Sequence, residues 1–252
     1  MNHEKRYGRF TSSGIVALTS NPTAKEKANG EIFGKPAYTY IQKKIWERRL
    51  GRSLETEIFD RNLSWGKLCE RYIAQNTILP ITYRVNMNET TVHPDFEFWS
   101  GSEDALEDNL VADFKCPKTL DSFCQFIEPV LLGLTGTEAI NHIRENHKDG
   151  EKYYWQLVSN ACIHNVQFGE LIVFCPYKSE LELLRELASN IEENQFQYQW
   201  IYNSNDNELP YIKDGGVYKN INFIRFEIPQ GDKDFLTERV KLANIKMNQT
   251  NN

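Results

Sequence analysis

His93-Pro94-Asp95-Phe96-Glu97-Phe98 and Val111-Ala112-Asp113-Phe114-Lys115 are two apolar segments that place carboxylates and a lysine at the ends of what read as neighbouring strands. Alternation along a strand carries Asp113 and Lys115 to one side of the sheet. A charge set in an apolar run is costly unless it is paired, neutralised or metal-bound, so the interruption points to a site. Two carboxylates can hold a hard cation through oxygen, and an adjacent ammonium can stabilise charge that builds up on a phosphate. Asp95 and Asp113 are therefore the expected metal ligands, with the Phe114 carbonyl as a third oxygen and Lys115 as the expected catalytic cation. Phosphodiester cleavage needs such a set. The plainer alternative is an edge hairpin with a surface ion pair, because an acid two residues before a lysine is common.

Outward from these segments, β-branched and alternating residues predict strands over 78–85, 91–99 and 110–115, joined by turns at Asn86-Met87-Asn88-Glu89 and over 100–109. Upstream, the stretch 10–18 reads as a short helix that Thr11, Ser12 or Ser13 can cap, and such an end suits an anion. Gly34-Lys35-Pro36 opens a helix to about residue 50, with proline at an early position. A further helix over 64–75 contains Trp65-Gly66-Lys67-Leu68-Cys69-Glu70, with Glu70 one turn from Gly66. Downstream, 118–150 is less regular. A helix over 151–165, a strand over 168–177, an amphipathic helix over 179–194, a strand over 221–228 and a helix over 232–247 follow. This order predicts a mixed α/β protein with a central mixed sheet flanked by helices. The expected organisation is one domain over 1–247, comprising a basic helical part (1–76), a sheet core (77–177) and a helix-strand-helix end (178–247), then a frayed tail over 248–252.

The chain has 252 residues, 40% of them hydrophobic, enough for one sizeable core. It contains no run of eighteen apolar residues and no charged-then-apolar leader, so a cytoplasmic protein with no membrane partner is expected. The five cysteines include no CxxC pair, which argues against a disulfide framework, a zinc ribbon or an iron-sulfur cluster. The net charge of −6 is unevenly spread: residues 1–52 hold eleven Lys/Arg against four Asp/Glu, leaving eighteen against thirty-one for the remaining 200. Lys5, Arg6, Arg9, Lys35, Lys43, Lys44, Arg48, Arg49 and Arg52 can form a phosphate-tracking surface, although for any one of them a solvated helix face is the simpler use.

Taken in order, these motifs resemble those of the lambda exonuclease and YqaJ-like viral recombinase nucleases, a branch of the PD-(D/E)xK superfamily. Leu63-Ser64-Trp65-Gly66-Lys67-Leu68-Cys69-Glu70 resembles the tryptophan-glycine-lysine helix with its acid, and Pro94-Asp95 resembles the first metal-ligand motif. Asp113-Phe114-Lys115-Cys116-Pro117 resembles the acid-x-lysine-cysteine-proline motif, and the stretch 154–160 with Gln156 resembles the glutamine helix. Arg6 and Ser13 fall at the spacing of the pair that grips a 5′-terminal phosphate in this family. Asp113 stands where lambda-type enzymes have glutamate, and the segment between Cys116 and Gln156 is longer than in lambda exonuclease.

The resemblance implies a magnesium-dependent exodeoxyribonuclease that degrades one strand of linear double-stranded DNA from a 5′ end in phage or prophage recombination. Manganese can substitute, because the proposed ligands are all oxygens. Glu70 would complete the metal shell and Gln156 would orient Lys115 or the water. A ring-shaped homotrimer and a single-strand annealing partner are implied by resemblance alone. Rival readings are a RecB-like nuclease, including the CRISPR-associated kind, an endonuclease of the same superfamily, or a non-catalytic DNA-binding adaptor. His93 is expected to be a partly buried histidine, not a ligand. His142 and His147, five apart, do not share a helix face and make no zinc pair. Tyr153-Tyr154-Trp155 can stack on bases, with at least one ring expected in the core.

Overall fold

A computed structural model describes residues 3–54, 59–76, 79–86 and 89–249. After a 3-10 turn (His3–Lys5) come a short strand β1 (Phe10–Thr11), a 3-10 helix (Ser12–Thr19), then α1 (Ala24–Ala28), α2 (Lys35–Leu50) and α3 (Arg61–Gln75). Five strands follow: β2 (Arg84–Val85), β3 (Thr91–Val92), β4 (Trp99–Gly101), β5 (Ala105–Glu107) and β6 (Leu110–Lys115). The helices α4 (Leu120–Leu131), α5 (Gly136–Asn146) and α6 (Gly150–His164) then lead to β7 (Phe168–Phe174). The chain closes with α7 (Leu181–Ser189), α8 (Gln199–Asn203), β8 (Ile221–Glu227) and α9 (Gln230–Gln249).

The main sheet has the order β2-β5-β6-β7-β8, with β6 and β7 parallel and the other pairs antiparallel. β6 and β7 are buried on both faces, as their near-continuous apolar sequences require. Val111, Leu171, Val173, Ile224 and Phe226 join a core with α4, α5, α6 and α9. Leu110, Ala112, Phe114, Ile172 and Phe174 join a second core on the opposite face, with α3, α7 and α8. Asp113 and Lys115 share the parity of Val111, so they face α6, as alternation predicts.

A smaller sheet, β1-β4-β3, joins the N-terminal segment to residues 91–101. Its 3-10 helix is fastened from below and behind. Ser12 Oγ lies 2.8 Å from Ser159 Oγ of α6, which also accepts the Trp99 indole N–H at 2.8 Å. Arg239 of α9 is buried and donates to the carbonyls of Leu18, Ser20 and Ile32 at 2.6–2.7 Å. Three charge-assisted bonds from one rigid guanidinium hold the N-terminal segment against the body of the protein.

Several sequence expectations change. The stretch 10–18 is a strand and a 3-10 helix, and Thr11 at its cap position makes no capping bond. Its hydroxyl lies against Tyr40 and Ser13 instead, at 3.2 and 3.4 Å. The expected strand over 91–99 breaks after Val92, because Pro94 has no N–H for a ladder, and the chain turns until Trp99. The expected turn over 100–109 contains the end of β4 and all of β5. The less regular stretch 118–150 is two helices, each opening after a threonine. The C-terminal helix runs through Gln249, so residues 248 and 249 are helical, not frayed. Ile78, Met87, Asn88 and residues 250–252 lie outside the described residues.

Lys44 leaves the expected phosphate surface, while Arg9 and Arg48 stay at the surface with N–H groups tied to carbonyls. Lys44 is buried in an ion pair with Glu47 at 2.9 Å, Arg9 Nε donates to the Glu97 carbonyl, and Arg48 Nε donates to the Gly8 carbonyl. All five cysteines are free thiols. No helix among the described residues is long and apolar enough to cross a membrane.

Candidate functional site

One cleft of about 300 Å³ gathers residues from the 3-10 helix region, α3, the β5–β6 hairpin and α6. Its walls include Arg6, Ser13, Glu70, Ser102, Asp104, Asp113, Phe114, Lys115 and Gln156. Every predicted site residue except Asp95 is therefore brought to one place.

Asp95 is the correction. It is exposed in the turn between β3 and β4, in the smaller sheet, and its amide donates to His93 Nδ1 at 3.1 Å. The break at Pro94 carries it away from β6. Asp104 takes the position that sequence analysis gave to Asp95. It precedes β5, and the register Ala105 to Ala112 puts it across the hairpin from Asp113. The Phe114 amide donates to Asp104 Oδ2 at 2.6 Å, which holds that carboxylate over the site. The missed signal was the Asp108-Asn109 dipeptide, a turn pair between Ala105-Leu106-Glu107 and Leu110-Val111. Reading it as a hairpin pairs residue 104 with 113.

Asp113 is 2% exposed. Its Oδ1 accepts the Gln156 side-chain amide at 2.7 Å. Its Oδ2 is buried and lies against the Lys115 ammonium in an ion pair. Burial would discharge Lys115, but Asp113 and then Asp104 outweigh it, and the amine is held firmly protonated. The ammonium also stands 4.4 Å from the Tyr153 ring centre. Burial, with repulsion from Asp113 and Glu70, lifts Asp104 well above the ordinary carboxylate range, and Lys115 and the Phe114 amide only partly offset this. Burial likewise lifts Glu70, which Lys115 pulls down and Asp113 pushes up. Gly66 lies one turn away, where an added methyl would stand 3.9 Å from Glu70 Oε1.

Among the described residues, no three His, Cys, Asp or Glu side chains already converge as a metal cluster. The donor set nevertheless fits a hard divalent cation. Glu70, Asp104 and Asp113 supply carboxylate oxygens, and the mutual repulsion is what a cation would relieve.

At another part of the cleft wall, Arg6 Nη2 donates to Ser13 Oγ at 3.2 Å and Nη1 to Ser102 Oγ at 3.0 Å. Ser102, which sequence analysis also missed, lies 3.0 Å from Thr90 Oγ1. A guanidinium framed by two hydroxyls is suited to a phosphate. Glu103 also faces the cleft, but Asn86 and His164 occupy its oxygens at 2.6 and 2.8 Å.

The remaining candidates are structural. His93 stacks on Trp99 at 5.0 Å and His147 on Phe126 at 4.3 Å. Tyr154 and Trp155 are buried, the first donating to Asp232 and the second to Glu151.

No protein-family model matches the chain, and no curated protein matches it in sequence. Solved structures match over nearly its whole length. A phage-related exonuclease from Haemophilus somnus 129PT is 15% identical at a TM-score of 0.59, covering 96% of this chain and 94% of its own. An alkaline exonuclease from Laribacter hongkongensis, LHK-Exo, is 15% identical at 0.55, covering 97% and 90%. The same enzyme in complex with dAMP is 14% identical at 0.58, covering 98% and 92%. At these identities the likeness concerns fold. The chain has the mixed α/β fold of these exonuclease structures.

Proposed function

We propose that this protein is a metal-dependent exodeoxyribonuclease that degrades one strand of linear double-stranded DNA from a 5′ end. The observation that carries this reading is that one cleft holds both an acidic constellation with a lysine and an arginine-serine phosphate site. The fold shared with exonuclease structures agrees with it.

Glu70, Asp104, Asp113 and the Phe114 carbonyl would hold magnesium, or manganese in its place, and the cation would supply an acidified water and neutralise charge on the phosphate. Gln156 holds Asp113 in place through Oδ1. Lys115, kept protonated, offers its ammonium to charge developing on the scissile phosphate. Arg6, Ser13 and Ser102 bind the terminal 5′ phosphate, which sets the point of cleavage by fixing the end of the strand. Phage or prophage recombination, a trimeric ring and a single-strand annealing partner belong to this proposal through the motif resemblance.

The test is digestion of 5′-phosphorylated linear duplex and of closed circles, with magnesium or EDTA, by the wild type and Lys115→Ala. Magnesium-dependent loss of one strand from linear DNA, absent in the variant, is expected. Cutting of closed circles would turn the reading to an endonuclease, and DNA binding without digestion would turn it to an adaptor.

A further inference from the structure

At the start of α3, two segments far apart in sequence meet in a cluster of rings and cations that the proposed hydrolysis does not use. Phe59, just before α3, and Phe196, between α7 and α8, are 48% and 58% exposed, yet their ring centres stand 6.2 Å apart. Trp200 of α8 lies behind α3, its indole N–H donating to Ser64 Oγ at 2.9 Å and its ring 6.4 Å from Trp65. Two cations address that indole: Arg61 at 5.4 Å and Lys118 at 5.1 Å from the ring centre. Asp60, between Phe59 and Arg61, turns its carboxylate to the Asn62 amide at 2.7 Å and caps α3.

The cluster adjoins the cleft along the chain on both sides. Asn62, next to Arg61, lines the cleft, and Lys118 is three residues beyond Lys115. Leaving two phenylalanines exposed side by side costs hydration free energy that burial elsewhere would have avoided. Rings on offer, with cations beside them, match a flexible polyanion that carries flat aromatic groups.

We propose that Phe59, Phe196 and Trp200, with Arg61 and Lys118, form a stacking rim for unpaired DNA bases at the mouth of the cleft. This rests on the exonuclease reading, in which one strand must leave the duplex before or during hydrolysis. Phe59 and Phe196 take base faces, and Arg61 and Lys118 take the backbone phosphates between them. The rim would favour single-stranded DNA over a blunt duplex, whose bases are already stacked on each other.

The experiment is fluorescence anisotropy with labelled oligothymidylate in EDTA, beside an abasic strand of equal length and charge and a blunt duplex. The wild type is expected to prefer the strand with bases by about tenfold or more, from stacking at one or two rings. Phe59→Ala/Phe196→Ala loses that preference and keeps its duplex affinity, while Phe196→Trp retains it. Equal wild-type binding of the two strands, or an undiminished preference in the double variant, would overturn the rim. Digestion of linear duplex with magnesium by the same proteins keeps the two readings apart. Base preference without digestion sinks the exonuclease and leaves the rim, and digestion without base preference sinks the rim alone.

Discussion

Asp104 stands across the β5–β6 hairpin from Asp113, one residue beyond the Ala105–Ala112 pair, and accepts the amide of Phe114 next to it. The two carboxylates are thus set by backbone register. This relationship separates Asp104 from Asp95, the acid that motif spacing favours. Asp104→Asn is expected to lower the rate of strand digestion by at least about 100-fold, while Asp95→Asn stays within about twofold, since removing an electrostatic group from a site costs on this scale. Single-turnover digestion of a labelled duplex reads both. A dead Asp95 variant beside an active Asp104 variant would reverse the assignment.

Gln156→Ala leaves Asp113 Oδ1 without its donor in a buried site. Activity should fall by about 10- to 100-fold, with a matching rise in the magnesium concentration needed for half-maximal rate. A drop in rate with unchanged metal dependence would show that Gln156 does not act through Asp113.

Arg6 makes a charge-assisted contact available to a phosphate, worth about 1.5–3 kcal/mol. The wild type should therefore digest 5′-phosphorylated ends faster than 5′-hydroxyl ends by roughly tenfold or more. Arg6→Ala should bring the two substrates to the same slow rate. Equal discrimination in wild type and variant would remove Arg6 from phosphate recognition.

Gly101 ends β4. A Cβ there would lie 2.2 Å from Asn160 Oδ1, 2.4 Å from Ser12 Oγ and 2.8 Å from Ile163 Cδ1. Gly101→Ala should destabilise by about 1–3 kcal/mol, the cost of overpacking, and lower Tm by roughly 2–4 °C per kcal/mol. Thermal unfolding measures it, and an unchanged Tm would mean that the junction of β4, α6 and the 3-10 helix yields.

Burial holds His93 and His147 below the usual histidine pKa, and in each Nδ1 accepts an amide two residues on, at 3.1 Å. A base whose folded pKa is lowered binds fewer protons folded than unfolded, so its contribution is present at high pH. That contribution is lost as pH falls from about 6.5 through the folded value. Tm should decline across that window, and His93→Asn/His147→Asn, whose amide oxygens can still accept a hydrogen bond, should flatten the decline. An equal slope in the double variant would assign the acid sensitivity to other groups.

Local pattern made much of this protein readable. Apolar runs placed β6 and β7, helical spacing placed α2, α3, α6 and α9, and alternation put Asp113 and Lys115 on one face. Glu70, Gln156, Arg6 and Ser13 were singled out by motif resemblance, since on local pattern alone each reads as an ordinary polar residue, and the fold gathers all four at one cleft. Asp104 and Ser102 were hidden because β5 is three residues long and carries polar residues on its approach, a pattern that reads as loop.

The sequence alone determined that a carboxylate and a lysine would share one face of a buried strand, since strand alternation is a property of the backbone. Which second carboxylate joins them, which lysines are spent on internal pairs, and that Phe59 meets Phe196 were decided by tertiary structure. Those contacts join residues 10, 3 and 137 positions apart through hairpin register, burial and helix packing. Register and packing are set by the summed burial of both faces of the sheet, and no single segment contains that sum.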